Sequence, residues 1–189
     1  MPYCRQVEKV FKPDQPLRFF PVSTIQNTVE QQLKAVSITG RMAYSITCLE
    51  IIIQHDNLDQ QAFQPLLTAL WDFTDNPDLG NWDENIMPFI PEDRTGWPIG
   101  GTPAISLFYQ TLPPALLTCI DEIIDVGRGN LYAGVQSHSP ATLTSVMWVV
   151  QYMLAHGYPL PQTEIFQRSP FTLQDQHGWG NRVARSFFQ

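Results

Sequence analysis

"SPATLTSVMWVVQYMLAHG", residues 139–157, is the stretch that decides the fold class. Ser139 followed by Pro140 is typical of an N-cap and the first turn of a helix, and Gly157 is typical of the residue at which a helix ends. The apolar residues between them do not alternate with a period of two, as they would in a half-buried strand. The stretch therefore predicts an α-helix that begins after Ser139 and ends at Gly157.

Two segments before it follow the same plan. "TPAISLFYQTL" (102–112) and "PPALLTCIDEIIDVG" (113–127) also carry a proline where the first helical turn would lie. Thr102 is a suitable N-cap for the first of them, and Gly127 fits the end of the second. The sequence predicts a helix in each segment.

The N-terminal half carries three apolar stripes with helical spacing. A proline-containing arm (1–22) precedes the first helix, for which Ser23 or Thr24 is the expected cap, and a longer second helix is expected to start near Thr39. Pro65 lies inside the third stripe, so that helix is expected either to start near the proline or to kink there. The stripes consist of Ile25, Val29, Leu33 and Val36; Met42, Ile46, Leu49, Ile52 and Ile53; and Phe63, Leu66, Leu67, Leu70 and Phe73.

Residues 76–101 are rich in proline and glycine and predict a long irregular loop, in which "LGNWDENIM" is expected to form a short helix. The whole chain (1–189) is therefore predicted to be one all-α domain, a helical array or bundle. "LLTALWD" (66–72) and "LLTCIDE" (116–122) are similar, which leaves open an arrangement of stacked helical hairpins. The tail (176–189) is expected to pack on the body.

Trp179 lies between two glycines in the tail sequence "DQHGWGNRV". Glycines allow the backbone unusual conformations, and a tryptophan side chain buries a large area. We expect Trp179 to act as a plug over the last helices, together with Phe171, Phe187 and Phe188. The alternative is that His177 and Trp179 bind a ligand.

The charge distribution is strongly asymmetric. The net charge is −7, and no lysine or arginine occurs between Arg41 and Arg94, although ten acidic residues do. A region of only negative charge repels phosphate backbones and attracts basic partners. We therefore expect a basic protein partner and no nucleic-acid binding. The ten residues are Glu50, Asp56, Asp59, Asp72, Asp75, Asp78, Asp83, Glu84, Glu92 and Asp93.

The sequence predicts a cytoplasmic protein that does not bind a membrane. The densest apolar run, residues 145–155, is too short to cross a bilayer, and the N-terminus lacks the apolar stretch of a signal peptide. Cys4, Cys48 and Cys119 are odd in number and far apart, which favours reduced thiols. Cys48 and Cys119 fall in apolar helical patterns and are expected to pack in the core.

Motifs for metal, cofactor and phosphate binding are not found, so no metal or cofactor is expected. Asp121 and Asp125 are one helical turn apart. Their simplest interpretation is a solvated acidic face with Arg128 close by. The alternatives left open are a hydrolase-like enzyme that combines such acids with one of the dispersed histidines, and a self-associating scaffold.

"LWDFTDNPDLGNWDENIMPF", residues 70–89, is the candidate binding surface. An exposed tryptophan beside carboxylates suits an interface with a basic protein, because the ring would anchor the partner and the acids would attract it. The competing interpretation is that the tryptophan packs inward and the acids only solubilise the protein. The candidate partner-binding residues are Asp72, Asp75, Asp78, Trp82, Asp83 and Glu84.

Four stretches in order over residues 41–186 carry a resemblance: "RMAYSITCLEIII", "LLTALWDFTDNPDLGNWDENIMPFIPE", "TLTSVMWVVQYMLAHGYPLP" and "GWGNRVARS". The chain resembles a family of small helical bacterial proteins that is similar to the immunity proteins of polymorphic toxin systems. Immunity proteins bind and neutralise a cognate toxin in the cytoplasm. The resemblance implies a bacterial origin and a binding role, and no catalytic residue is carried over from it.

Overall fold

The computed structural model of the chain describes residues 22–91, 102–174 and 176–188. Within these ranges the protein is all-α, as predicted, with one isolated antiparallel bridge between Val36 and Pro170. The α-helices are α1 (Val22–Lys34), α2 (Ile38–His55), α3 (Gln60–Asp72), α4 (Leu79–Ile86), α5 (Pro103–Gln110), α6 (Pro114–Arg128) and α7 (Pro140–His156). Short 3₁₀ helices span Met87–Phe89, Thr163–Arg168, Gln176–Gly178 and Arg185–Phe188.

Helices α2, α6 and α7 pack on one another and form the centre of the array. Most residues of α2 are buried because neighbours cover nearly all of its sides. Helix α1 packs on α7, α3 packs on α2, and α4 packs on α3. The buried apolar residues form one hydrophobic core, and no helix in the described ranges is long and apolar enough to span a membrane.

The start of α1 differs from the prediction. The helix begins at Val22, so Ser23 and Thr24 lie inside its first turn and do not precede it. Ile25, at the start of the predicted stripe, is 43% exposed, whereas Leu33 is fully buried. The stripe is therefore buried only in the C-terminal part of the helix, and the predicted arm before Val22 lies outside the described residues.

Helix α3 begins before Pro65. The carboxylate of Asp59 accepts hydrogen bonds from the backbone N–H groups of Gln61 and Ala62, and this cap begins the helix. Pro65 therefore lies inside the helix and does not start it. Its ring is on the exposed side, opposite the buried stripe that holds the helix against its neighbours.

The predicted starts of α5, α6 and α7 are confirmed. Pro103, Pro114 and Pro140 each occupy the first turn, and the hydroxyl of Thr102 accepts a hydrogen bond from a backbone N–H group of α5. Helix α7 ends at Gly157, whose φ of 75° is the left-handed conformation that glycine adopts without strain.

Ser139 precedes α7, but its side chain does not cap the helix. Its hydroxyl instead bonds to the side chains of Asn130 and Thr142, and its own φ is 52°. The backbone carbonyl of Ser139 and the hydroxyl of Thr142 accept hydrogen bonds of 3.0 and 2.9 Å from Nη1 of Arg41. Ser139 therefore occupies the N-cap position as predicted, but its side chain belongs to a buried network around Arg41 and does not bond to the first turn of the helix.

Arg41 connects three helices. Its side chain lies on α2 and is fully buried, and besides the bonds to the start of α7 it reaches the end of α1. There Nε donates to the carbonyl of Leu33 at 2.9 Å and Nη2 to the carbonyl of Lys34 at 3.2 Å. The last carbonyls of a helix carry its negative dipole end, so they compensate the charge of the guanidinium. The Leu33 carbonyl also accepts a hydrogen bond of 3.1 Å from the backbone N–H of Val36.

The predicted end of α6 at Gly127 is also wrong, because the helix continues through Arg128. A Cβ atom on Gly127 would lie 2.5 Å from the ring of Trp82 and 3.2 Å from that of Phe73. The glycine is therefore required by the close approach of α6 to two aromatic rings. Helical periodicity cannot reveal this, since the rings come from another part of the chain.

We expect Gly127→Ala to lower the free energy of unfolding by up to about 2 kcal/mol, measured by urea denaturation. Alanine raises helix propensity by about 1 kcal/mol, but forcing a methyl group into the packed Trp82 ring costs about 1–3 kcal/mol. Gly80→Ala in α4 is the control, since its nearest neighbour would be the cap carboxylate of Asp78 at 3.2 Å. A stabilised Gly127→Ala protein would contradict the packing of α6 on Trp82.

The predicted loop 76–101 is largely structured where it is described. Residues Leu79–Ile86 form α4, which confirms the short helix expected in "LGNWDENIM", and Met87–Phe89 form a 3₁₀ turn. Residues 92–101 lie outside the described residues. The irregular part of the candidate surface is thus short, and a helix follows it directly.

The tail crosses the body by way of α2 and α3. The carbonyl of Trp179 accepts a hydrogen bond of 2.9 Å from the backbone N–H of Thr39, and the ring of Trp179 lies 6.3 Å from that of Phe73. Further along, Arg185 pairs with Glu50 at 2.8 Å. These contacts place Trp179 at the start of α2 and beside the end of α3.

The other aromatic residues of the tail differ in how deeply they are buried. Phe188 is buried and stacks on Phe166 with 5.7 Å between ring centroids, whereas Phe187 remains partly exposed. Phe171 packs against Gly178, where a Cβ atom would lie 2.5 Å from its ring. His177 is exposed, so in this region the packing involves the aromatic rings and not the imidazole.

Candidate functional site

The candidate surface is built on the turn between α3 and α4. Asp72 ends α3, and its carboxylate accepts a hydrogen bond of 2.6 Å from the amide of Asn76. The amide oxygen of Asn76 in turn accepts from the backbone N–H of Asp78 at 2.8 Å. Asp78 caps α4 by accepting from Gly80 and Asn81. These local bonds hold the turn in one conformation.

Four of the six predicted site residues are exposed: Asp72, Asp75, Asp78 and Glu84. We call these four carboxylates the acidic segment. None of them forms an ion pair with another residue in the described ranges. The acidic segment therefore presents negative charge to solvent, and no ion pair within the described ranges neutralises this charge.

Trp82 does not belong to the exposed surface, and its prediction as an anchor is wrong. Its side chain is 0% exposed, its Nε1 donates a 2.8 Å hydrogen bond to the carbonyl of Ala69, and its ring packs edge-on against Phe73. Trp82 and Ile86 are four residues apart on the buried side of α4. That spacing was the sequence signal that favoured an inward-facing ring.

The sequence predicts that Asp83 binds a partner, but its carboxylate is not available for that. It is 7% exposed, and its two carboxylate oxygens contact Nε of Arg128 at 2.6 Å and the hydroxyl of Tyr132 at 2.9 Å. Arg128, expected beside Asp125, therefore pairs across to α4. The hydrogen bond to the Asp83 carboxylate and that group's charge raise the pKa of Tyr132.

Arg128 and Tyr132 are thus the site residues that the sequence did not indicate. They follow Asp83 by 45 and 49 residues, and no local pattern connects positions that far apart. Tyr132 is 80% exposed, more than any other large apolar or aromatic side chain described. Its position next to the acidic part of α4 makes it part of the same surface.

The two aspartates of α6 for which the sequence predicts an acidic face, Asp121 and Asp125, differ in burial. Asp121 is only 2% exposed, so the predicted solvated face is wrong at this residue. Burial, and after it the charge of Asp121, raise the pKa of Tyr109. The hydrogen bonds of His55 and His156 are made elsewhere, to Asp56 and to the carbonyl of Tyr152.

A second polar cluster joins the ends of α2 and α7. The carboxylate of Asp56 accepts a 2.6 Å hydrogen bond from the hydroxyl of Tyr158 and lies 3.1 Å from Nδ1 of His55. Desolvation opposes the charged carboxylate, but these hydrogen bonds outweigh it and lower the pKa of Asp56. The rings of Tyr158 and His156 stack beside the pair. The cluster fastens the chain that follows α7 to the end of α2.

The two described thiols are not suited to nucleophilic chemistry. Cys48 and Cys119 are fully buried, and burial raises the pKa of both thiols, which favours the unreactive protonated form. Within the ranges that the structure covers, no three histidine, cysteine, aspartate or glutamate side chains are grouped so that they could hold a metal ion.

Comparison of the chain with models of protein families, with curated proteins and with solved structures found no match.

Proposed function

We propose that the chain is a cytoplasmic protein-binding module whose acidic segment binds a basic protein. The observation that carries this proposal is the exposure of Asp72, Asp75, Asp78 and Glu84 without a cationic partner in the described ranges. Together with the resemblance to toxin-neutralising proteins, it supports an immunity-type inhibitor. Its acids would occupy the basic surface with which a toxin holds its own substrate.

The rigidity of the turn supports this role. Hydrogen bonds between Asp72, Asn76 and Asp78 fix the backbone, and α4 packs through Trp82 on the core. Carboxylates that are already positioned lose less conformational entropy when a partner binds. They also steer an oppositely charged protein toward the correct orientation, which raises the association rate.

We expect the double variant Asp75→Lys/Glu84→Lys to weaken partner binding about ten-fold at low salt and to flatten its salt dependence. The partner would first be captured with the wild-type chain from extracts of the source cells. Dissociation constants would then be measured with the purified partner at two salt concentrations. Asp78 is left unchanged, because reversing it would also remove the cap of α4.

The matched control is Glu30→Lys/Glu164→Lys, which changes the net charge equally at α1 and at the 3₁₀ turn after α7. An equal loss of affinity in both double variants would show that only net charge matters and would contradict a surface at the acidic segment. A well-folded wild-type bait that captures no basic protein at either salt concentration would contradict the proposed function.

A further inference from the structure

Tyr132 is exposed and yet fixed. Its ring is 80% accessible, although its hydroxyl donates a hydrogen bond of 2.9 Å to Asp83. Asp83 is itself held by Arg128 at 2.6 Å. The ring therefore has a defined orientation before any partner arrives. Tyrosines of this kind are frequent at the centres of protein interfaces, since they offer a large contact area at a small entropic cost.

An open groove of about 320 Å³ runs beside the Tyr132 ring. Gly129 and Ala141 line it with little side chain, and Asp125 and Ser145 supply polar groups. Its floor thus combines a narrow apolar surface with a carboxylate. Such a groove fits one long side chain that is apolar along its stem and cationic at its end.

The electrostatics of the groove are negative overall. Arg128 also lines it, but Nε of this residue is paired with Asp83 and Nη2 lies 3.5 Å from the sulfur of Met87. The charges of Asp83 and Glu84 both raise the pKa of the Tyr132 phenol. A cation that enters the groove therefore meets a net negative field.

We infer that the groove takes an arginine side chain of the basic partner, with the guanidinium stacked on the ring of Tyr132. This inference rests on the proposed function and names the residue type that the surface recognises. Arginine fits better than lysine, because its guanidinium is planar, is weakly hydrated and stacks on aromatic faces. Lysine would be attracted by the same carboxylates but would gain less from the ring.

The test uses fluorescently labelled octa-arginine and octa-lysine peptides and the full chain, with fluorescence anisotropy as the readout. We expect the wild-type chain to bind octa-arginine at least about five-fold more tightly than octa-lysine. Tyr132→Ala should remove this preference while leaving octa-lysine binding unchanged. Tyr132→Phe, which keeps the ring, should retain most of the preference. Phe187→Ala, at another partly exposed ring, is the control and should leave it unchanged.

Equal affinities of the wild-type chain for the two peptides would overturn the inference, and so would an undiminished preference in Tyr132→Ala. The proposed function fails separately, if Asp75→Lys, which lies outside the groove, binds both peptides as tightly as the wild type. Tyr132 is so exposed that these substitutions leave the core intact, which thermal unfolding of each variant checks.

Discussion

Replacement of Arg41 by methionine is expected to lower the free energy of unfolding by about 3–5 kcal/mol. Methionine replaces the volume of the side chain but none of its hydrogen bonds. The carbonyl of Lys34 would lose the guanidinium as its donor, whereas the carbonyls of Leu33 and Ser139 and the hydroxyl of Thr142 would each keep at least one other hydrogen bond. Each hydrogen bond from a charged donor contributes about 1.5–3 kcal/mol, and relief from burying the charge offsets part of their combined loss. Urea denaturation measures the change.

The effect is expected to be large because Arg41 keeps its charge in the core. Burial lowers the pKa of Arg41 to about 10, which still leaves the guanidinium protonated at neutral pH. The guanidinium lies at the C-terminal end of α1, where the carbonyl dipoles of that helix stabilise its charge. The ring of Phe171 lies 5.3 Å from the central carbon of the guanidinium. We expect Arg41→Lys to be intermediate, since one ammonium group cannot reach all four acceptors.

Arg185→Met is the matched control for Arg41→Met. Arg185 pairs with Glu50 at 2.8 Å, but its side chain is 47% exposed. Pairs of this kind contribute about 0–1 kcal/mol. If Arg41→Met and Arg185→Met cost the same, the network around Arg41 would not hold α1, α2 and α7 together as we describe.

Gly180→Ala is expected to lower the free energy of unfolding by about 3 kcal/mol, for two reasons that add. The φ of Gly180 is 86°, where a side chain is strained by about 1–2 kcal/mol. In addition, its Cβ would come too close to the hydroxyls of Ser37 and Ser169, which are hydrogen-bonded to each other. Thermal or urea denaturation would show the loss, and limited proteolysis would show whether the tail detaches first.

Gly157→Ala separates the two causes. Gly157 has a similar φ of 75°, but a Cβ on it would meet no atom within 4 Å. Its replacement should therefore cost only the backbone strain, about 1–2 kcal/mol. Equal losses in Gly157→Ala and Gly180→Ala would mean that the tail is not pressed against Ser37 and Ser169.

The candidate site illustrates where sequence reasoning stops. The exposed carboxylates Asp72 and Asp75 could be expected from the polar turn that contains them, and Asp78 from its place before a short helix. The spacing of Trp82 and Ile86 favours an inward-facing ring, but the contacts that bury the ring come from α3 and from Gly127 of α6, which the local sequence does not reveal. No local pattern marks Tyr132 as a site residue. An isolated tyrosine in a polar stretch looks the same in the sequence whether or not a distant carboxylate accepts a hydrogen bond from its hydroxyl.

The sequence by itself determined that the protein is helical, where α4, α5, α6 and α7 begin, and where α7 ends. Hydrophobic periodicity, the prolines of the first turns and Gly157 act within a few residues, so they can be read along the chain. Only the tertiary structure decided that Asp83 pairs with Arg128, 45 residues away, and that Arg41 binds Ser139, 98 residues away. Which partner a buried charge finds depends on how the helices cross. That arrangement follows from the packing of the whole core and not from any local pattern.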